Sequence, residues 1–293
     1  MHIKNIILLF MLITQITVFS QPMNLVIKLD KKEYLIYEPI QLLIEITNES
    51  NQPVNFVFDH FCSAFKLTVT HNGKIIKCSS SGAAMIGPMV IGSKEEYIDY
   101  FEFLTVFGCT NSKGGIEYNL QHLSKGSYTV ELEYNFGKKV LNNGYDLIVK
   151  SNKLEFFIAE PQERVYKRQI EKYISLMKNP QKYDSETFEK IIDEIIEIDS
   201  LSPYSLLAQF RLITRFKALG EKLKRQNRME KACKSFPNSF VSLSYAMYDK
   251  KILDKMANSK EFNGKVIQEY SKKVKDSRAK IKHIKQNDIK PTM

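Results

Sequence analysis

The chain has 293 residues, 43% of them hydrophobic and 26% charged, with a formal net charge of +10. That composition excludes a disordered or collagen-like chain, and the length leaves room for two domains. The charge is unevenly placed: residues 21–160 hold 13 Lys and Arg against 16 Asp and Glu, whereas 161–293 hold 29 against 17, so two separate folding units of opposite character are predicted.

The first twenty residues begin with His2 and Lys4, run almost unbroken apolar from Ile6 to Phe19, and contain no acid. This is the pattern of a secretory signal peptide cleaved beside Ser20; the apolar stretch, interrupted by Thr14, Gln15 and Thr17, is too short to span a bilayer. Residues 1–20 are therefore read as the signal. The remainder is read as a secreted or periplasmic protein without a transmembrane anchor, in a space where cysteines can pair. Of Cys62, Cys78, Cys109 and Cys233, three fall in the first half. They allow one bridge there, for which Cys78 with Cys109 is the candidate and unpaired buried thiols the alternative.

From residue 21 to 160 the apolar residues recur every second position. Leu25, Ile27 and Leu29 share a face, as do Ile40, Leu42, Ile44 and Ile46, then Val54, Phe56 and Phe58, then Phe65, Leu67 and Val69. Later runs are Tyr97 to Leu104, then Tyr128, Val130, Leu132 and Tyr134, and finally Leu154, Phe156 and Ile158. A period of two over short runs predicts half-buried strands, and Asn72-Gly73 predicts a tight hairpin, because both central residues of such a turn need positive φ. Seven or eight strands without an intervening helix predict a β-sandwich.

Several local patterns in this half carry a resemblance. Tyr37-Glu38 precedes the second strand, Asn48-x-Ser50 and Pro53 stand between the second and third, Gly126-x-Tyr128 opens a late strand, and Ser151-Asn152 leads into the last. Residues 23–160 thus resemble the immunoglobulin-like sandwich of secreted bacterial proteins, including the module that precedes deuterolysin-type zinc protease domains. The resemblance implies a fold and no particular activity. The protease itself is not implied, because the chain has no His-Glu-x-x-His.

After Pro161 the period changes to three and four. Tyr166, Ile170, Tyr173, Ile174 and Met177 form one stripe; Phe188, Ile191, Ile192, Ile195 and Ile196 form another behind a cap at Asp184 or Ser185. A third helix is predicted from Tyr204 to Leu219 with Gly220 as its stop, and further helices after Pro237 and Gly264. Pro161 is predicted to end the last strand and start the first helix, where a missing N–H is tolerated. The predicted architecture is an N-terminal all-β immunoglobulin-like sandwich over 21–160 and a C-terminal all-α domain over 161–293. SPYSLLAQF at Ser202 and NSFVSLSYA at Asn238 begin helices in similar fashion 36 residues apart. With the Pro237-Asn238-Ser239 turn they are similar to tetratricopeptide-type repeats; a plain bundle is the alternative.

The chemistry-bearing motifs are sparse. The chain has no Gly-x-Ser-x-Gly, no phosphate-binding Gly-x-x-x-x-Gly-Lys, no Gly-x-Gly-x-x-Gly and no EF-hand loop. Asp59-His60-x-Cys62 contains nucleophile and base types, but consecutive residues of a strand point to opposite faces. Asp193, Glu194, Glu197 and Asp199 belong to the polar face of an amphipathic helix. No catalytic residue, metal site or cofactor is assigned.

Two surfaces are candidates for interaction. The Gly-punctuated, uncharged stretch 79–93 offers Met85, Ile86, Met89 and Val90 as an apolar loop, with a plug over the end of the sandwich as the alternative. The stretch 221–234 offers Lys222, Lys224, Arg225, Arg228, Lys231 and Lys234 as a basic surface. Its lysine character and the export signal argue against nucleic acid. The reading is a non-catalytic binding or scaffolding protein of the cell envelope, whose partner is another envelope protein or an anionic glycan or membrane surface. The alternative is an accessory, inhibitory or regulatory subunit of a secreted enzyme, or an enzyme with its site at the domain junction.

Overall fold

The computed structural model describes residues 23–56, 65–76, 89–102, 123–136, 147–258, 265–280 and 282–283. Among the described residues eleven strands come first: β1 (Met23–Lys28), β2 (Glu33–Leu35), β3 (Gln41–Asn48), β4 (Val54–Phe56), β5 (Phe65–His71), β6 (Lys74–Ile76), β7 (Met89–Ile91), β8 (Glu96–Glu102), β9 (Gly126–Asn135), β10 (Ile148–Lys150) and β11 (Leu154–Ala159). Among the described residues seven α-helices follow: α1 (Arg164–Lys178), α2 (Ser185–Ile198), α3 (Pro203–Ala218), α4 (Lys222–Ser235), α5 (Phe240–Tyr248), α6 (Lys250–Asn258) and α7 (Lys265–Lys280). The chain then returns to the sheets as β12 (Lys282–His283), which pairs with β7, so the C-terminal part is not purely helical.

One sheet has the order β1-β3-β8, all antiparallel. The second runs β2-β11-β9-β5-β6, with β10 also on β9 and β2 parallel to β11. A small third sheet is β4-β7-β12. Leu25 and Ile27 of β1, Ile44 and Ile46 of β3, Val130 and Leu132 of β9, and Ile158 of β11 bury into a single apolar cluster, so the first two sheets face each other in a sandwich-like arrangement. Alternation explains β9, whose inward residues are buried while those between are half-exposed. Asn72 (φ 47°) and Gly73 (φ 78°) form the predicted β5–β6 turn.

β3 departs from simple alternation: Gln41 through Ile46 are all buried. Its second face is covered by helices. Leu43, with Ile98 and Tyr100 of β8, belongs to a cluster containing Phe210 and Ile213 of α3, Met229 of α4, Val241 and Leu243 of α5, and Val274 of α7. A third cluster lies within α1, α2 and α3, around Tyr173, Ile192, Ile195, Tyr204 and Phe216. Successive helices pack on one another, and α1 also meets α3, α5 meets α7, and α4 meets α6.

The helix ends follow local chemistry. The Asp184 side chain accepts from Thr187 N–H at the start of α2, and Ser202 does the same for Ser205 N–H at α3, with Pro203 in the first turn. Pro161 differs from its predicted role. α1 starts at Arg164 with Glu163 as its N-cap, so Pro161 lies in the short connection, ahead of the cap rather than in the first turn.

Candidate functional site

A cleft of about 450 Å³ opens where the edge of β1, the β10–β11 connection, the start of α5 and α7 meet. Its walls carry Lys28, Asp30, Asn152, Asn238, Phe240 and Tyr270 among others. Each ionisable group there already has partners. The Lys28 ammonium donates to Glu45 Oε1 at 2.7 Å and to Tyr270 Oη at 2.8 Å. Burial alone would lower the pKa of Lys28, but these two bonds outweigh it and hold the value above the ordinary one. Asp30 accepts from Tyr34 O–H through Oδ1 and from Phe240 N–H, at 3.0 Å, through Oδ2. Burial and the Asp30 charge push the Tyr34 phenol upward, so it stays protonated and keeps its donor for Asp30.

The amide of Asn152 completes the cleft by acting as a surrogate strand. Its Oδ1 accepts from Ile27 N–H at 2.8 Å and its Nδ2 donates to Ile27 C=O at 3.0 Å. The neighbouring Ser151 exchanges bonds with Leu132 of β9: Leu132 N–H donates to Ser151 Oγ and Ser151 N–H to Leu132 C=O. Ser151-Asn152 therefore ties β1 of one sheet to β9 of the other. The Asn48-x-Ser50 pattern has a similar local cause. Asn48 Oδ1 accepts from Ser50 N–H and Oγ–H, while Nδ2 donates to the carbonyls of Gln52, Ile91 and Gly92. Glu38, from the Tyr37-Glu38 pair, accepts from Leu35 N–H and pairs with Lys31; burial raises its pKa against the pull of that ammonium.

Of the candidate apolar loop, Met85 and Ile86 lie outside the described residues. Met89 is a correction: as the first residue of β7, paired with Phe56 of β4, its side chain is only 3% exposed and belongs to the sandwich core. Val90, on the opposite face, is half-buried. The candidate bridge Cys78–Cys109 and the Asp59-His60-x-Cys62 stretch also lie outside the described residues. Cys233 is a free thiol buried in α4, donating to Ser242 C=O, and burial pushes its pKa up to about 12.

The basic candidates divide. Arg228 is a second correction: it is 9% exposed and grips Asp193 with both terminal nitrogens, at 2.6 and 3.1 Å, because α4 packs close to the polar face of α2. Lys224 pairs with Glu189 and Glu221, and Lys234 with Glu230. Arg225 is half-buried, whereas Lys222 and Lys231 are exposed. On the polar face of α2, Glu194 is held below the usual carboxylate range by its hydrogen bond from Lys172.

No described protein family matches the chain, and no curated protein matches it. Weak structural likenesses exist. The CARDB domain of PF1109 from Pyrococcus furiosus is 13% identical over 48% of this chain and 96% of that one, with a TM-score of 0.25. The sporulation control protein Spo0M of Bacillus subtilis is 12% identical over 53% of this chain and 56% of its own, with a TM-score of 0.27. Among the described residues no helix is long and apolar enough to cross a membrane.

Proposed function

We propose that this chain is an exported, non-catalytic binding or scaffolding protein of the cell envelope, in which an immunoglobulin-like sandwich carries a repeat-like helical platform. The observation that supports it most is the engagement of the junction cleft. Lys28, Asp30 and Asn152, the groups that would otherwise act as acid, base or polar anchor, each hold sheet to helix or sheet to sheet. A base or nucleophile needs a lone pair directed at substrate, and these are directed at partners within the fold.

The immunoglobulin-like assignment draws on topology. β1-β3-β8 against β11-β9-β5 follows the division of strands in that architecture. Tyr128, near the start of β9, donates its O–H to Ser124 C=O, four residues upstream, as in a tyrosine corner. The repeat-like assignment draws on the contacts of each helix with its next neighbour and, for α1, α4 and α5, with the one after it.

The binding surface is assigned to the exposed lysines of α4, among them Lys222 and Lys231. The test is capture of a stoichiometric partner from an envelope fraction by the full chain, compared with Lys222→Glu/Lys231→Glu and, for the apolar stretch, with Met85→Asp. Loss of the partner in the lysine variant at unchanged circular dichroism supports the reading; retention in both variants removes both surfaces.

A further inference from the structure

The edges of the sheets are closed in two different ways. At β1, the Asn152 amide occupies both the N–H and the C=O of Ile27. At β2, Leu35 N–H donates to Glu38 Oε2 and Leu35 C=O accepts from Glu38 N–H, each at 2.9 Å. Each closure is made by a single residue, which blocks the edge there without adding a strand. β7 is closed by a strand instead. Beyond it stands β12, whose Lys282 and His283 pair antiparallel with Val90 and Met89. Among the described residues β12 thus reaches two of the three residues of β7.

The edge beneath does not depend on its cover. β4 and β7 pair with each other, and their Val54, Phe56, Met89 and Ile91 belong to the sandwich core, each at 3% exposure or less. With β12 withdrawn, β7 keeps its place and presents N–H and C=O groups in strand geometry, which is a template for another strand. Facing residues of paired strands share one side of a sheet. A residue opposite Met89 or Ile91 therefore stands on the side that faces the core, and one opposite Val90 on the half-buried outer side. The chain's own strand has a histidine opposite Met89, a position where an apolar residue adds to the core. We infer that the edge of β7 is a docking site for an extended polypeptide segment, and that β12 is its internal occupant. The segment runs antiparallel to β7, carries apolar residues opposite Met89 and Ile91, and supplies the hydrogen bonds from its backbone. By spanning all of β7 it gains a pair that β12 lacks among the described residues. This seat is distinct from the lysines of α4 and does not depend on them.

The probe is a fluorescein-labelled peptide of residues 279–287 carrying His283→Ile, read by anisotropy against the full chain. In the chain, Lys282→Pro/His283→Pro removes both N–H groups of β12 and so displaces the internal occupant. This variant binds the peptide about tenfold to a hundredfold more tightly than the wild type, in which only molecules with β12 detached are competent. A peptide that also carries Lys282→Pro binds neither chain. Amide exchange locates the seat: the β7 amides that face β12 exchange faster in the proline chain and regain protection when the peptide is added. Should the proline chain differ from wild type in circular dichroism, Lys282→Gly/His283→Gly, which keeps every N–H while weakening the strand, gives the same order of affinities. The inference is overturned if the peptide binds neither chain, if it binds both equally, or if it leaves β7 exchange in the variant unchanged. No peptide binding, together with partner capture that depends on Lys222 and Lys231, ends the strand seat and leaves the proposed function standing.

Discussion

Asp30, in the turn after β1, accepts a hydrogen bond from the N–H of Phe240, the first residue of α5, at 3.0 Å across 210 positions of sequence. The second oxygen of the same carboxylate takes the O–H of Tyr34, which stands in the sandwich core. One side chain therefore satisfies an orphan donor of a helix N-terminus and fixes that helix to the sheet. Asp30→Ala is expected to destabilise the protein by about 1–3 kcal/mol in denaturant titrations, since a buried phenol and a helix N–H both lose an acceptor. Asp30→Asn, which keeps an acceptor without the charge, loses less.

Leu43 is where the sandwich and the helical part share an interior. It is 1% exposed and packs in the cluster that includes Val241, Leu243 and Val274. Leu43→Ala is expected to cost about 2–5 kcal/mol. Because the lost contacts join the two parts, the variant is predicted to unfold in two resolved steps in calorimetry where the wild type shows one.

Gln169 closes the end of α2 from inside. It is 0% exposed, and its Nε2 donates toward Ile195 C=O, Asp199 C=O and Ser205 Oγ, at 2.9, 3.0 and 3.1 Å. Two protons are shared by three acceptors at a helix C-terminus, where carbonyls lack intrahelical partners. Gln169→Leu is expected to lower stability by about 1–3 kcal/mol. Faster amide exchange at the end of α2, with little change in the sandwich, would locate the loss.

Asp249 caps α6, accepting from Lys251 N–H and Ile252 N–H through Oδ1 and from Gln226 through Oδ2. Burial would raise its pKa, but the bonds from Gln226 and the two N–H groups hold it below the ordinary 3.8. A carboxylate depressed in the folded state stabilises above its unfolded pKa and loses that contribution as pH falls through the folded value. The stability gap between wild type and Asp249→Ala, about 1 kcal/mol as for other helix caps, is therefore full above pH 5. It shrinks below 3.8 in a urea series taken at stepped pH.

Much of this architecture is readable along the chain, and the rest fails for identifiable reasons. β9 and the α2 stripe follow their periods because each buries one face. The Leu42-Leu43-Ile44 run carries a signal that a one-face reading passes over, since a strand apolar on both sides is a strand covered on both sides. β2 and β7 have three residues each and exist through partners far along the chain, so no local period reveals them, and Met89 is consequently misread as surface. Arg228 looks like one more cation in a basic run; its burial depends on the approach of α4 to Asp193. Gly126 was legible as a signature and its reason appears only in space. Its φ is 143°, and an added Cβ would stand 2.5 Å from His71 Nε2.

The central claim is that the polar groups of the junction cleft are structural and that function lies on the outer surface. Its most direct measurement is partner capture from the envelope fraction by Asp30→Asn, at a temperature where circular dichroism shows wild-type secondary structure. The account predicts a lowered unfolding midpoint with capture unchanged. Capture abolished at an unaltered midpoint would contradict it and make the cleft itself the functional site.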